Sequence, residues 1–366
     1  MICHLILLTV AATPQRVVFS TENGHGASLY VASLDGKTCK KITPGTFDDS
    51  DPVWSPNGAW IAFTRAIPWR IAANPRSHIF LIRPNGSGVR QLTDGPKSDD
   101  HPGWSSDSRH IVFMRDGTTN GAIKVGVDGK GLQPVNDPFD YTQSGNWAAI
   151  LKPTTKTDGL FKSDLWLEDL RTQATRRITH LGDNMSAPVW SPDGTKLLLV
   201  VEHGFLGTKA TFKIKGEVEG PPTPDQEHTV TLYSVAIPSG QLKVLDRGHI
   251  SRMETPVFSP DGKRFAYLKA IDTDSSRNES FEQLYIMNSN GTGRHRLTNH
   301  FGNDYTPQWA RDGRTIVMGS DRVSMMIEIN GWRDFSEGGL TFVNPVTKRA
   351  RAVRLPVRVR HIALSR

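Results

Sequence analysis

Carboxylates recur at one place in this sequence, a few residues ahead of an aromatic. The stretches are Phe47-Asp48-Asp49-Ser50-Asp51, Ser98-Asp99-Asp100-His101, Asp140-Tyr141-Thr142, Asp183-Asn184-Met185, Met253-Glu254-Thr255 and Asn303-Asp304-Tyr305-Thr306. Brought around one axis, such groups focus a negative potential in a concave mouth. That chemistry suits a hard cation such as Ca2+, or Lys and Arg side chains of a partner. The same residue types also form turns, and that alternative stays open. His101, beside Asp99 and Asp100, is expected to titrate above the ordinary histidine range because negative charge favours its protonated form. The candidate mouth residues are Asp48, Asp49, Asp51, Asp99, Asp100, His101, Asp140, Asp183, Glu254, Asp304 and Tyr305.

A second constellation is histidine. Of twelve histidines, His180, His249 and His300 each fall nine or ten residues before an aromatic. Three imidazoles on one axis could hold Mn or Zn. They sit in separate repeat units, however, and equivalent positions of different units lie too far apart to converge, so exposed loop histidines are the expectation. There is no Gly-x-Ser-x-Gly nucleophile elbow, which argues against a serine peptidase. Two cysteines, Cys3 and Cys39, exclude a disulfide scaffold and a cysteine-built zinc finger.

The element that must position these residues is a repeat. Pro52-Val-Trp54-Ser-Pro56-Asn57-Gly58 returns as Pro102-Gly-Trp104-Ser-Ser-Asp107, as Pro188-Val-Trp190-Ser-Pro192-Asp193-Gly194, as Pro256-Val-Phe258-Ser-Pro260-Asp261-Gly262 and as Pro307-Gln-Trp309-Ala-Arg-Asp312-Gly313. Gly145-Asn146-Trp147 reads as a worn copy. Each phrase precedes a β-rich run such as Ile61-Ala-Phe63, then a second run ending in a polar turn, then a closing Leu-Thr or Ile-Thr at Leu92-Thr93, Ile178-Thr179 and Leu297-Thr298. Asp-Gly or Asn-Gly occurs fourteen times, supplying the positive-φ residues of tight hairpins. No useful 3.6-residue period appears, so helices should be few. Four-stranded antiparallel sheets recurring every ~40–50 residues make an all-β β-propeller. The units predict seven blades, with six as the alternative, and the recurring aromatic is the apolar plug between them. The first unit, from Val17, lacks its innermost strand, which either Leu5–Val10 or Val357–Leu364 would supply.

The repeats at 51–93, 187–199, 255–298 and 306–318 resemble the TolB-type propeller repeat, a bacterial relative of the WD repeat. The resemblance implies a periplasmic or secreted propeller that binds protein partners. Related repeats form substrate-gating propellers of prolyl-oligopeptidase-type peptidases, and whole enzymes in oligogalacturonate lyases, whose metal site uses histidines and a glutamine. This chain has no His-x-His pair of the kind those lyases use.

Net charge is +7, but the segment from Lys348 to Arg366 accounts for it, leaving a balanced body. Arg alternates there with apolar residues and without interleaved aromatics, which points to a solvated edge strand and away from nucleic acid. Nothing approaches the ~20 apolar residues of a bilayer span. Residues 1–15 read as an export signal lacking its basic start, or as the closing strand. Residues 16–366 then form one propeller domain with an insertion at 202–229. The expected function is a non-catalytic periplasmic or extracellular binding platform, monomeric, for a protein or peptide. The alternative is a metal-dependent, carbohydrate-active enzyme of the lyase type acting on an oligosaccharide.

Overall fold

The computed structural model describes residues 15–22, 26–67, 76–105, 107–117, 122–134, 141–144, 146–155, 162–180, 184–203, 229–251, 254–274, 279–300, 302–320, 327–329, 332–334, 338–355 and 358–365. Residues 204–228 of the insertion at 202–229 and residues 1–14 of the N-terminal segment lie outside them. Among the described residues there is no helix, as the periodicity predicts.

The strands form six large sheets, here I to VI in chain order, and one small hairpin, Ile327–Ile329 with Trp332–Asp334. Sheet I is eight-stranded and holds two repeat units side by side. One half comprises Arg358–Leu364, Arg16–Glu22, Ala27–Ser33 and Cys39–Lys41. The other comprises Asp48–Trp54, Ile61–Ala66, Ser77–Ile82 and Arg90–Gln91. Sheet II is led by Asp99–Trp104, III by Tyr141–Ser144, V by Val257–Phe258 and VI by Asp304–Trp309. Sheet IV starts with two short pieces, Asn184–Met185 and Val189–Trp190, both paired to Lys196–His203.

The fold is an all-β propeller, but the blade count differs from the expectation of seven or six. Five sheets, II to VI, stand as separate blades, and the first two units are fused into sheet I. Ala27 pairs in parallel with Asp48, and its N–H donates to the carbonyl of Phe47 at 3.1 Å. Gly26 permits this approach, because a Cβ there would come within 2.8 Å of that carbonyl oxygen.

The chain's two ends meet in sheet I. Arg358–Leu364 pairs antiparallel with Arg16–Glu22, so the C-terminal strand supplies the missing innermost position. Ser365 extends the seam: its N–H donates to Arg16 O, and its Oγ accepts from Arg16 N, both at 2.8 Å. The basic tail is therefore two strands of the propeller, Ala350–Leu355 at the outside of sheet VI and this leading strand.

The repeated residues have repeated jobs. Trp104 and Trp309 pack between sheets and Trp54 between the two halves of sheet I, and each indole N–H donates to a carbonyl of the preceding leading strand: Val53 (3.1 Å), Val257 (3.1 Å) and Ala363 (3.2 Å) in turn. A large apolar body with a satisfied N–H is what a buried tryptophan requires. In the closing Leu-Thr or Ile-Thr, Thr43, Thr93, Thr179 and Thr298 accept the N–H of Leu29, Ile79, Leu165 and Leu284 at 2.8–3.0 Å. In the turns, Ser191 donates to Asp193 and accepts the N–H of Lys196; Ser259 does the same with Asp261 and Arg264. Trp147 departs from the expectation. It opens the second strand of sheet III, Trp147–Thr155, opposite Ser144, because the turn has shrunk and Tyr141–Ser144 leads instead.

Candidate functional site

Among the described candidates, Asp48, Asp49, Asp51, Asp99, Asp100 and Asp304 lie at the starts of leading strands and Glu254 just ahead of one, and strand alternation sorts those within strands. In Asp48–Trp54, Asp49 is wholly buried while Asp48 and Asp51 are half-buried. In Asp99–Trp104, Asp99 is wholly buried, Asp100 is half-buried and His101 is exposed. Successive residues of a strand face opposite sides, so only alternate members of each acidic run can look toward the mouth.

The buried members are spent on structure. Asp49 takes both edges of the Arg65 guanidinium, at 2.6 and 2.9 Å, and Asp99 takes Arg115 at 2.6 and 2.8 Å. Both arginines sit sixteen residues downstream, on the adjoining strand. Arg65 also lies over the rings of Phe47, Phe63 and Phe80 at 4.8–5.1 Å. Asp304 is wholly buried and accepts from the Thr298 hydroxyl (2.5 Å), the Leu284 N–H (3.2 Å) and the Ser320 hydroxyl (2.8 Å). The expected ring of free acids is thus thinned at Asp49, Asp99 and Asp304. Asp140 and Asp183 lie outside the described residues. Tyr305 is half-buried on the Asp304–Trp309 strand.

The leading strands also carry a backbone feature that sequence reading missed. Asp51, His101 and Thr306, each immediately before the proline of the repeat phrase, adopt φ of 50°, 50° and 44°. The ladder register shifts at the same three places. A left-handed non-glycine residue is uncommon, and one before proline is more so. The signal available was the three-fold X-Pro at equal phase. These bulges re-aim the side chains at the strand start.

Two groups at the mouth have perturbed acidity. His101 Nδ1 lies 3.0 Å from Asp100 Oδ1. That hydrogen bond, followed by the charges of Asp51 and Asp100, raises the His101 pKa against a smaller effect of burial. The direction matches the expectation, but Asp99 has no part in it, since Arg115 holds that carboxylate. Across the molecule, burial pushes the Glu254 carboxyl up to about 7; the backbone N–H of Thr306 opposes this and Glu282 adds to it. Glu282 is itself raised, by burial first, with Asp304 adding to the shift and the neighbouring Ser251 hydroxyl opposing it.

The three phased histidines do different things. His180 and His249 are exposed. His300 Nε2 lies 3.0 Å from Asp304 and 3.2 Å from the Ser320 hydroxyl. Ser320, His300 and Asp304 do not form a nucleophilic triad, because serine and aspartate meet the same ring nitrogen and each other, whereas a triad places them at opposite nitrogens. Among the described residues, no group of three or more His, Cys, Asp or Glu is placed to hold a metal ion, and no helix is long and apolar enough to cross a membrane.

The outer strands show the opposite charge, with a structural cause. Lys40 donates to the carbonyl of Asn85 at 2.9 Å, and Lys243 to that of Asn290 at 2.8 Å. Arg90 bonds Val127 O and Arg176 bonds Pro238 O in the same way. Each is a clasp from an outer strand to a turn of the next repeat unit.

Comparison with known proteins places this geometry. No protein-family model matches the chain. It is 32% identical over 77 residues to dipeptidyl-peptidase 5 of Porphyromonas gingivalis, covering 21% of this chain and 11% of that protein. It is 26% identical over 200 residues to the uncharacterized protein Atu1656 of Agrobacterium fabrum, covering 47% and 63%. The chain therefore spans less than two thirds of either relative. Among solved structures, the β-propeller domain of the Trilobed protease from Pyrococcus furiosus superposes with a TM-score of 0.55 at 12% identity, over 93% of this chain and 95% of that one. TolB from Acinetobacter baumannii gives 0.50 at 15%, over 96% and 66%. The likeness is one of fold. It is that of a TolB-like propeller. The Pyrococcus domain is described as having an open velcro topology, whereas here the last strand pairs with the first.

Proposed function

We propose that this TolB-like propeller is a non-catalytic binding platform that takes a basic segment of a protein or peptide partner at its channel mouth. The observation that carries the reading is the segregation of charge. Partly exposed carboxylates (Asp48, Asp51 and Asp100, with Glu254 just ahead of its leading strand) gather at the heads of the units, while outer-strand cations are engaged in clasps between units. A concave acidic mouth attracts and orients cations. The bulges at Asp51, His101 and Thr306 keep that face rigid and strained, as recognition sites often are. In this reading the protein is monomeric and exported, working in the periplasm or outside the cell, and any divalent cation is an accessory to the mouth.

The test is a titration of the full chain with Lys/Arg-rich and Asp/Glu-rich peptides at two ionic strengths. Binding of basic peptides alone, weakened by salt and reduced about fivefold in Asp51→Asn/Asp100→Asn, is the expected result. Equal binding of acidic peptides, or release of unsaturated products from oligogalacturonate, would overturn it.

A further inference from the structure

The second strand of each unit, next to its leading strand, is sandwiched between neighbouring units and should be buried on both faces. Residues 17–21, 61–64, 148–151, 197–201, 265–268 and 316–320 meet that requirement without a break. The strand His110–Arg115 of sheet II does not. Its Ile111 and Phe113 are wholly buried, but Val112 and Met114 are only half-buried. Ile111 and Phe113 pack on sheet I with Ala62, Ile79 and Leu81. Alternation therefore turns Val112 and Met114 toward sheet III, and the incomplete burial lies at the boundary of sheets II and III.

The cause is in the residues of the next strand, Ala122–Gly126. Ala122 and Lys124 stand opposite Met114 and Val112, whereas sheet I has Ile79 and Leu81 at those places, opposite Thr64 and Ala62. A lysine is almost never wholly buried, and Lys124 is half-buried here, so water reaches the seam. Across from it, Ala149 and Leu151 pack on sheet IV, which leaves Ala148 and Ile150 to face sheet II. The indole that plugs other boundaries is displaced as well, because Trp147 opens the second strand of sheet III.

The remaining boundaries are better closed. Among the described residues, apolar clusters join sheets I and II, III and IV, IV and V, V and VI, and VI and I, and none is shared by II and III. Clasps follow the same division. Arg90 reaches from sheet I to II, Arg176 from III to IV and Lys243 from IV to V, and Arg264 of sheet V donates to Gly313 O of sheet VI at 3.3 Å. Among the described residues, Gln133–Pro134, the outer strand of sheet II, makes no such bond to sheet III. We propose that the ring opens at this seam: sheets II and III part reversibly and give a lateral entrance to the channel while the other boundaries stay shut. Parting them uncovers less apolar surface than parting any other pair, and local opening occurs where stabilising contacts are fewest. The chain ends need not separate, since Arg358–Leu364 remains paired with Arg16–Glu22.

Two adjacent alanines supply the experiment. Ala148 and Ala149 are both wholly buried on one strand, the first facing sheet II and the second sheet IV. In the full chain carrying Cys3→Ser and Cys39→Ser, Ala148→Cys and Ala149→Cys are each labelled with N-ethylmaleimide under native conditions. The Ala148→Cys protein should react at least about tenfold faster. Equal rates, or a faster Ala149→Cys protein, overturn the proposal. Thermal melting establishes that the variants fold. Should one of the pair fail, Ile150→Cys reads the same face as Ala148→Cys, and Ala62→Cys and Ala266→Cys, wholly buried at boundaries I–II and V–VI, replace Ala149→Cys as the slow references. Adding Lys124→Leu supplies the missing apolar surface and should slow labelling of the Ala148→Cys protein about threefold or more. A rate that this change leaves untouched also overturns the proposal.

Discussion

The sheet I–II side of the mouth and the sheet V–VI side start from the same repeat and end in opposite states. At Asp49 and Asp99 the acid is buried on an arginine sixteen residues away, and the pair is closed on both edges. At Glu254 and Glu282 the acids are held by a backbone N–H and a serine, with no arginine among the described residues, and burial raises both. Acids near the heads of different units can therefore be neutralised by a cation or left with uncharged donors. What decides is whether the adjoining strand carries a cation.

The sharpest way to break this comparison is to remove the closed acids. Asp49→Asn or Asp99→Asn should cost about 3–5 kcal/mol, because a buried guanidinium is left without its counter-charge. Chemical denaturation measures it, and a loss under about 1 kcal/mol would mean the pairs are not structural. Replacing both members, as in Asp49→Leu/Arg65→Met, should recover much of that loss.

A smaller effect is expected at Thr298→Val. This change removes the acceptor of the Leu284 N–H and a donor to Asp304, and should cost about 1–3 kcal/mol.

The open acids should behave in the reverse sense. The folded-state pKa of Glu254, about 7, lies above the ordinary carboxyl range. The native state then holds this proton more tightly than the unfolded chain, so stability falls as pH rises through that window and levels off above about 7. Glu254→Gln should therefore stabilise the protein by about 1 kcal/mol at about pH 8, with the gain gone at about pH 4. A destabilised variant at the higher pH would erase the contrast.

The smallest effect is at His101. Asp51→Asn should lower its NMR titration midpoint modestly, because the Asp51 charge is secondary to the Asp100 hydrogen bond.

Much of the architecture was legible in the residues. The Pro-x-Trp phrase, the Asp-Gly turns and the Leu-Thr closures each make one local bond that recurs with the repeat, so their spacing carries the fold. Trp147 misled because one feature of the phrase survives where the turn has shortened, and only pairing with Ser144 shows its strand. The fused first sheet was not legible, since it depends on a backbone contact between Ala27 and Phe47. The burial of Asp49 and Asp99 was hidden for a related reason. An Asp-Asp pair in sequence looks like two equal acids, but a strand sends neighbours to opposite faces.

The sequence by itself determined a repeating four-stranded β unit, its aromatic plug and the acids at the head of each unit, because these follow from turn chemistry and period-two patterning within some fifty residues. Only the tertiary structure decided which terminus closes the ring, how many blades stand apart, and which carboxylates meet a cation. Those outcomes depend on distances between strands far apart in the chain, which no local pattern encodes.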